Sequence, residues 1–325
     1  LEAKGRFTLF GRNQLSIGLE GQGQIVSQQA RNLSTREVRQ RLLISAYLLD
    51  EWKITSWFAA SAGLRIDKYL DLGSVPITPR LGLVFRPYQG GLSKIVGGQA
   101  FRAPNMYELY FSDGFASVRP PGALSPETIT TIELEHNHDI TEELRLTVSG
   151  YFNMIDQLVE QAPDEAPVPV CGVPLGTVQC FSFRNSANRV FAVGGEAALR
   201  WQPGRFTLVE FGYSYVQLRG NTGISRMTPA HLFSTRALVP LVEGNVRLSG
   251  QAVFQSSRGI ALGAEAGEAL LINFGLAGDV GRLRYFAGVK NLLDTAYRVP
   301  TATDISATSA QQYGRSFMVE MALSY

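Results

Sequence analysis

The lengths of its connections constrain this chain more than any single motif. Stretches in which apolar and polar residues alternate recur from end to end, and a period of two places alternate side chains on opposite faces of a β-strand. The stretch 40–51 carries Leu42, Ile44, Ala46 and Leu48 on one face. The stretch 144–160 sets Leu144, Leu146, Val148, Phe152 and Met154 against Arg145, Thr147, Ser149, Tyr151 and Asn153. About fourteen strands are expected, at 13–28, 40–51, 54–69, 77–86, 92–103, 127–138, 144–160, 190–201, 205–218, 229–240, 246–255, 269–278, 283–293 and 312–325. Short turns, such as 87–91, 139–142, 202–204 and 279–281, alternate strictly with long loops, such as 104–125, 161–188, 219–228, 256–267 and 294–311. A soluble sandwich has no reason to sort loop lengths by parity. A transmembrane barrel has one, because its turns are short on the periplasmic side and longer outside. The fold class expected is therefore all-β, an antiparallel up-and-down transmembrane β-barrel.

The last stretch fits this reading most closely. Phe317, Val319, Met321, Leu323 and Tyr325 form one face, and Met318, Glu320, Ala322 and Ser324 the other. So apolar a face would drive aggregation if it met water, and suits lipid instead. In 54–69, Arg65 and Asp67 lie opposite Leu64 and Ile66, as a wet interior requires. The net charge of +2 gives no sign of a nucleic-acid partner, and no apolar run of about 18 residues marks a membrane helix. The chain begins at Leu1 without a signal peptide, so it is expected to be a piece of a longer exported protein.

Several stretches, in order, resemble one family. Ala46-Tyr47-Leu48-Leu49-Asp50-Glu51-Trp52 is similar to the "Y-x-Q-D-E-W" strand end of TonB-dependent outer-membrane receptors, with Leu49 in place of the usual Gln. Gly63-Leu64-Arg65-Ile66-Asp67 resembles "G-L-R-Y-D", and Pro79-Arg80-Leu81-Gly82 resembles "P-R-x-G". Phe101-Arg102-Ala103-Pro104-Asn105 with Glu108-Leu109-Tyr110 resembles "F-R-A-P-x-x-x-E-L-Y", and Leu124-Ser125-Pro126-Glu127 resembles "L-x-P-E". Lys290-Asn291-Leu292-Leu293-Asp294-Thr295-Ala296-Tyr297 resembles "x-N-L-F-D-x-x-Y". The aromatic end at Tyr325 is similar to the sorting signal of bacterial outer-membrane barrels, which implies the barrel assembly machinery as a partner and Phe317, Val319, Met321, Leu323 and Tyr325 as the signal.

The resemblance implies an outer-membrane transporter for a scarce small-molecule or metal-chelate ligand of the ferric siderophore, haem or cobalamin class. It implies energy from the TonB system, delivered through an N-terminal plug. Outer-membrane transporters of this kind have 22 strands. Residues 1–325 are therefore expected to be the C-terminal portion of such a barrel domain, without the plug and TonB-contacting segment, and unable to perform energised transport alone. The alternative is a passive porin-like channel complete at about fourteen strands. A third reading, a soluble β-rich binding module, conflicts with the stripe at the C-terminus.

Candidate site residues follow from this placement. Arg102, Tyr107 and Tyr110 stand where a strand meets a long outer loop, and Arg119 follows in that loop. Arginines and aromatics there could hold an anionic chelate by bidentate hydrogen bonds and stacking. The same residue types also populate the aromatic girdle and loops of any barrel. Cys171 and Cys180 lie in one outer loop, close enough in sequence to form a disulfide, with free thiols or a metal site as the alternative. His136 and His138 have the i, i+2 spacing that shares a strand face, but no third ligand lies near them in sequence, so a capping or surface role near a turn is expected. Asp164 and Glu165 are two neighbours, too few for Ca²⁺. No phosphate loop or nucleophile elbow is present, and neither catalysis, a cofactor nor a bound metal is expected.

Overall fold

The computed structural model describes residues 1–29, 36–111, 118, 120–163, 181–204, 206–220, 227–242, 245–260, 264–301 and 309–324. Fifteen strands form one sheet in which each is hydrogen-bonded to the next in chain order. They are β1 (Glu2–Leu9), β2 (Asn13–Gln29), β3 (Arg36–Lys53), β4 (Phe58–Tyr69), β5 (Ile77–Phe85), β6 (Gly91–Arg102), β7 (Glu127–Asp139) and β8 (Leu144–Asp156). After them come β11 (Val190–Gly204), β12 (Thr207–Arg219), β13 (His231–Val242), β14 (Val246–Gln255), β17 (Ala269–Val280), β18 (Leu283–Lys290) and β21 (Ser316–Leu323). The other six strands pair within long loops. They are β9 (Val159–Pro163) with β10 (Phe181–Asn185), β15 (Arg258–Gly259) with β16 (Glu265–Ala266), and β19 (Arg298–Pro300) with β20 (Ser309–Gln311). One short helix, α1 (Met106–Tyr110), follows β6.

The expected fold holds, with one strand more in the sheet than the fourteen expected. The extra strand is β1, which pairs antiparallel with β2 from Glu2↔Glu20 to Leu9↔Asn13. Its alternation is present, but Ala3 and Gly5 occupy its apolar side and give it little hydrophobic signal. Several boundaries also move, among them the start at 40, now Arg36, and the start at 312, now Ser316, and three have a local cause. Residues 54–57 form a turn, because the Thr55 hydroxyl accepts the Phe58 amide at 2.9 Å and β4 starts only there. β8 stops at Asp156 because Gln157 turns to φ 57°, and β18 stops at Lys290 because Asn291 turns to φ 51°.

Burial runs opposite to that of a soluble domain. Ser45 and Asp67 are each 1% exposed, whereas Phe317, Val319, Met321 and Leu323 are 78, 67, 70 and 67% exposed. Water-soluble chains rarely leave so continuous an apolar surface, and bury charge only when it is paired.

The chain divides into two compact units: residues 1–85, 95–132 and 153–191 in one, and residues 86–94, 133–152 and 192–325 in the other. In the first, the buried side is a polar network. Ser45 Oγ donates to Asp67 Oδ1 at 2.6 Å, and Arg65 Nε donates to the same oxygen at 2.9 Å. Arg65 Nη2 also donates to Glu20 Oε2 and Ser45 Oγ, both at 2.9 Å. Leu19, Ile44 and Leu64 of the same strands are exposed on the other side. Gly18 sits opposite Tyr47, whose ring lies across it; a Cβ there would come within 2.2 Å of Tyr47 Cζ. In the second unit, Arg236 donates to Glu210 at 2.9 Å across directly paired residues. The apolar face there holds Phe211, Phe233 and Phe274, all exposed.

Candidate functional site

Around the helix that follows β6, arginines, carboxylates and aromatic rings gather at the long-loop ends of the strands. A barrel strand crosses the hydrocarbon core with about 9–11 residues. Counted from the short-turn end, Arg102 is the last of the 12 residues of β6 and Glu127 the outermost of the 13 of β7. Both therefore stand beyond the crossing part.

Arg102 organises this end. Its Nη1 donates to both oxygens of Glu108 at 2.9 Å, its Nη2 donates to Glu127 Oε1 at 2.8 Å, and its Nε donates to Glu127 Oε2. The planar fork of a guanidinium matches a carboxylate in this two-point manner. Glu127 Oε1 also accepts the amide of Val159 at 2.6 Å, which fastens the start of β9. Burial alone would push the Glu127 carboxyl up, but the hydrogen bonds from Arg102 and Val159 hold it below its ordinary range. The Arg102 guanidinium is held above its own, chiefly by its hydrogen bond with Glu127.

Glu108 belongs to a second device. The Asn105 side chain accepts the Glu108 amide at 2.8 Å, and the Glu108 side chain accepts the Asn105 amide at 2.8 Å. This reciprocal capping box fixes the start of α1, a helix of five residues that would not persist unaided. α1 in turn presents Tyr107 and Tyr110. Tyr107 stacks on Phe111 with centroids 4.3 Å apart and meets Phe183 of β10 edge-on at 5.8 Å. The Arg39 guanidinium lies 4.7 Å from the Tyr110 ring centroid. Below them Arg41, buried, donates to the Pro104 carbonyl at 2.7 Å and to Asp71 at 2.8 Å, with its guanidinium 5.2 Å from the Tyr69 ring. Asn185 closes the base. Its side chain donates to the carbonyls of Ser125 and Gln157 at 2.9 and 2.7 Å and accepts the Ser125 amide at 2.8 Å.

Of the residues expected from sequence, Arg102, Tyr107 and Tyr110 come together around α1. Arg102 is engaged by two carboxylates, while half-exposed Tyr107 shows its ring at the surface. Arg119, Cys171 and Cys180 lie outside the described residues, as does Tyr325 of the terminal stripe. Sequence reading named Glu108 and Glu127 only as motif letters and passed over Arg39, Arg41, Asn185 and Phe183. The spacing from Asn105 to Glu108 is the signal that would have exposed the cap. The partners of Arg41 and Asn185 carry no local signal.

Comparisons with known proteins agree with this architecture. No curated protein matches the sequence. Among solved structures, a variant of the ferric enterobactin receptor PfeA from Pseudomonas aeruginosa, in complex with enterobactin, is similar with a TM-score of 0.81 at 16% identity, covering 100% of this chain and 54% of that one. The siderophore receptor PirA from Acinetobacter baumannii gives 0.77 at 15% identity, with 100% and 54% covered. The copper transporter OprC gives 0.73 at 13% identity, with 100% and 56% covered. At such identities the likeness is one of fold, and this chain spans about half the length of these structures. A family model described as "TonB dependent receptor-like, beta-barrel" matches residues 3–292. With its paired strands, its exposed apolar stripe and that match over most of its length, the chain belongs to the TonB-dependent receptor-like β-barrel family.

Proposed function

We propose that residues 1–325 are the C-terminal portion of the barrel domain of a bacterial outer-membrane receptor that takes up a scarce metal chelate, a ferric siderophore first among the candidates. The observation that carries this reading is the platform around α1. Tyr107 and Phe111 stack with Phe183 set edge-on to Tyr107, and Arg39 sets a cation over Tyr110. Flat, anionic, aromatic-rich chelates are matched by such surfaces. PfeA, similar in fold, is a ferric enterobactin receptor, and PirA, also similar, is a siderophore receptor. In this reading Tyr107 and Tyr110 meet the ligand, with Arg119 from the same loop, and Arg102 holds the platform in place. The reading includes a disulfide between Cys171 and Cys180. Barrel lipid contacts, the assembly machinery and the TonB system, the last reached through a plug outside this chain, are the partners. Catalysis forms no part of the reading.

The test is uptake of ligand carrying a radiolabelled metal, iron in ferric enterobactin and haem and cobalt in cyanocobalamin, by a receptor-deficient Gram-negative strain carrying the native full-length gene. Ferric enterobactin, haem and cyanocobalamin serve as alternative probes. Uptake of the ferric catecholate that requires an intact TonB system is expected. Uptake of haem or cyanocobalamin alone would transfer the function to that ligand class. Equal, TonB-independent permeation of all three would replace the receptor reading with a passive channel.

A further inference from the structure

Histidines 136 and 138 stand at the end of β7, just before a turn. On β7 they continue the apolar face that shows Leu134, while Glu135 on the other face accepts Lys94 at 2.8 Å. Their spacing supplied two imidazoles on one face, and the third donor arrives from 48 residues earlier in the chain. Tyr88, in the short turn before β6, places its hydroxyl 2.9 Å from His136 Nε2 and 2.9 Å from His138 Nδ1. The phenol oxygen thus joins one nitrogen from each imidazole, and the two rings stand 15° from parallel with their centroids 6.3 Å apart. The opposite nitrogen of His136 is also held, because Ser93 Oγ, on a buried serine, lies 2.7 Å from His136 Nδ1.

We propose that His136, His138 and Tyr88 form a binding site for Cu²⁺. Three features of the geometry support it. First, ligands about 2.0 Å from a metal are separated by about 2.8 Å when cis in a square plane and about 3.3 Å in a tetrahedron. The two nitrogen–oxygen separations of 2.9 Å suit the square arrangement, which with nitrogen and oxygen donors favours Cu²⁺. Second, the Ser93 hydroxyl 2.7 Å from His136 Nδ1 can accept a proton from that nitrogen, and in that tautomer the Nε2 lone pair on the Tyr88 side is left for a metal, the support that metal-ligating histidines use. Third, the site is reachable, since Tyr88 is exposed and the histidines are partly so. Binding releases the phenol proton to solvent and requires the neutral His138 to carry its proton on Nε2, and the phenol oxygen already lies within hydrogen-bond distance of a nitrogen from each imidazole. This site is independent of the reading given for the α1 platform.

The experiment uses the full-length native protein, purified from membranes in detergent and titrated with Cu²⁺. Electron paramagnetic resonance reads the number of coordinating nitrogens, and optical absorption reads any phenolate-to-copper charge transfer. A tetragonal signal with two nitrogens and a charge-transfer band is expected. His136→Ala and His138→Ala should each weaken binding by at least tenfold, and Ser93→Ala by roughly tenfold through loss of the supporting hydrogen bond. Tyr88→Phe keeps the ring in the turn and should retain the two-nitrogen signal while losing the band. The heat-shifted electrophoretic band of a folded barrel confirms assembly, and an alanine variant that lacks it is replaced by His→Gln at the same position. Copper bound with unchanged affinity in either histidine variant belongs elsewhere and overturns the proposal. So does a spectrum with a single nitrogen, or one that Tyr88→Phe leaves unaltered.

Discussion

At the scale of single residues, Glu127 carries the most consequence for the platform. It accepts from Arg102 and from the Val159 amide, so its loss frees both the strand tip and the loop hairpin. Removing Glu127 as Glu127→Ala should lower the local opening free energy by about 1–2 kcal/mol, since hydrogen bonds to charged groups are strong but Arg102 is partly open to solvent. Hydrogen–deuterium exchange at Val159 and its neighbours should then accelerate roughly tenfold. The pH dependence has a definite sign. The Glu127 carboxyl is held low, so its contribution is fully present above the ordinary carboxylate range and is lost as pH falls through the depressed folded value. Protection of the β9 start should persist through mild acid and fail only below it, and Glu127→Gln should show no such step. A transition centred at or above the usual glutamate range would contradict the assignment. Asn105→Ala removes one half of the capping box and should destabilise α1 by about 1 kcal/mol. Ligand binding, not barrel assembly, is the property it should weaken.

At the scale of elements, β21 carries the exposed apolar stripe Phe317, Val319, Met321 and Leu323. Met321 lies on the exposed apolar stripe, and Glu320 on the other face pairs in register with Phe286. Met321→Lys should cost about 2–4 kcal/mol of folding stability in a bilayer if it reaches the midplane, whereas Glu320→Gln should cost little. Refolding of the full-length protein into lipid vesicles, followed by urea titration, reads the difference, and equal costs would place β21 outside lipid. The Gly18–Tyr47 pair makes a second claim at this scale. A Cβ at Gly18 would collide with the Tyr47 ring, so Gly18→Val should force the ring off the strand at a cost of about 1–3 kcal/mol. Gly18→Val combined with Tyr47→Ala should recover part of that loss.

For the whole molecule, the inverted burial is the property that matters, because it ties the fold to its solvent. Trp52 and Trp201 are exposed residues of the strands β3 and β11, where amphipathic aromatics settle at membrane interfaces. In the full-length protein reconstituted with brominated lipids, versions retaining only one of these tryptophans should lose much of their fluorescence. Unquenched emission from both would remove them from the lipid boundary.

Residue chemistry alone determined the fold class. Alternation is a local property, so the faces of β3, β8 and β21 could be read from their own residues, and the parity of loop lengths revealed which strand ends lie together. It also placed Arg102, Tyr107 and Tyr110 at a loop end. It did not reveal what Arg102 does there, because its partner Glu127 lies 25 residues on, and the amide Glu127 accepts lies 32 further. Nor did it supply Tyr88 to His136 across 48 residues. Those pairings depend on strand register and on how each loop returns to the sheet. Register is set by the summed pairing of many residues, which no short stretch of sequence carries, and so only the tertiary structure decided them.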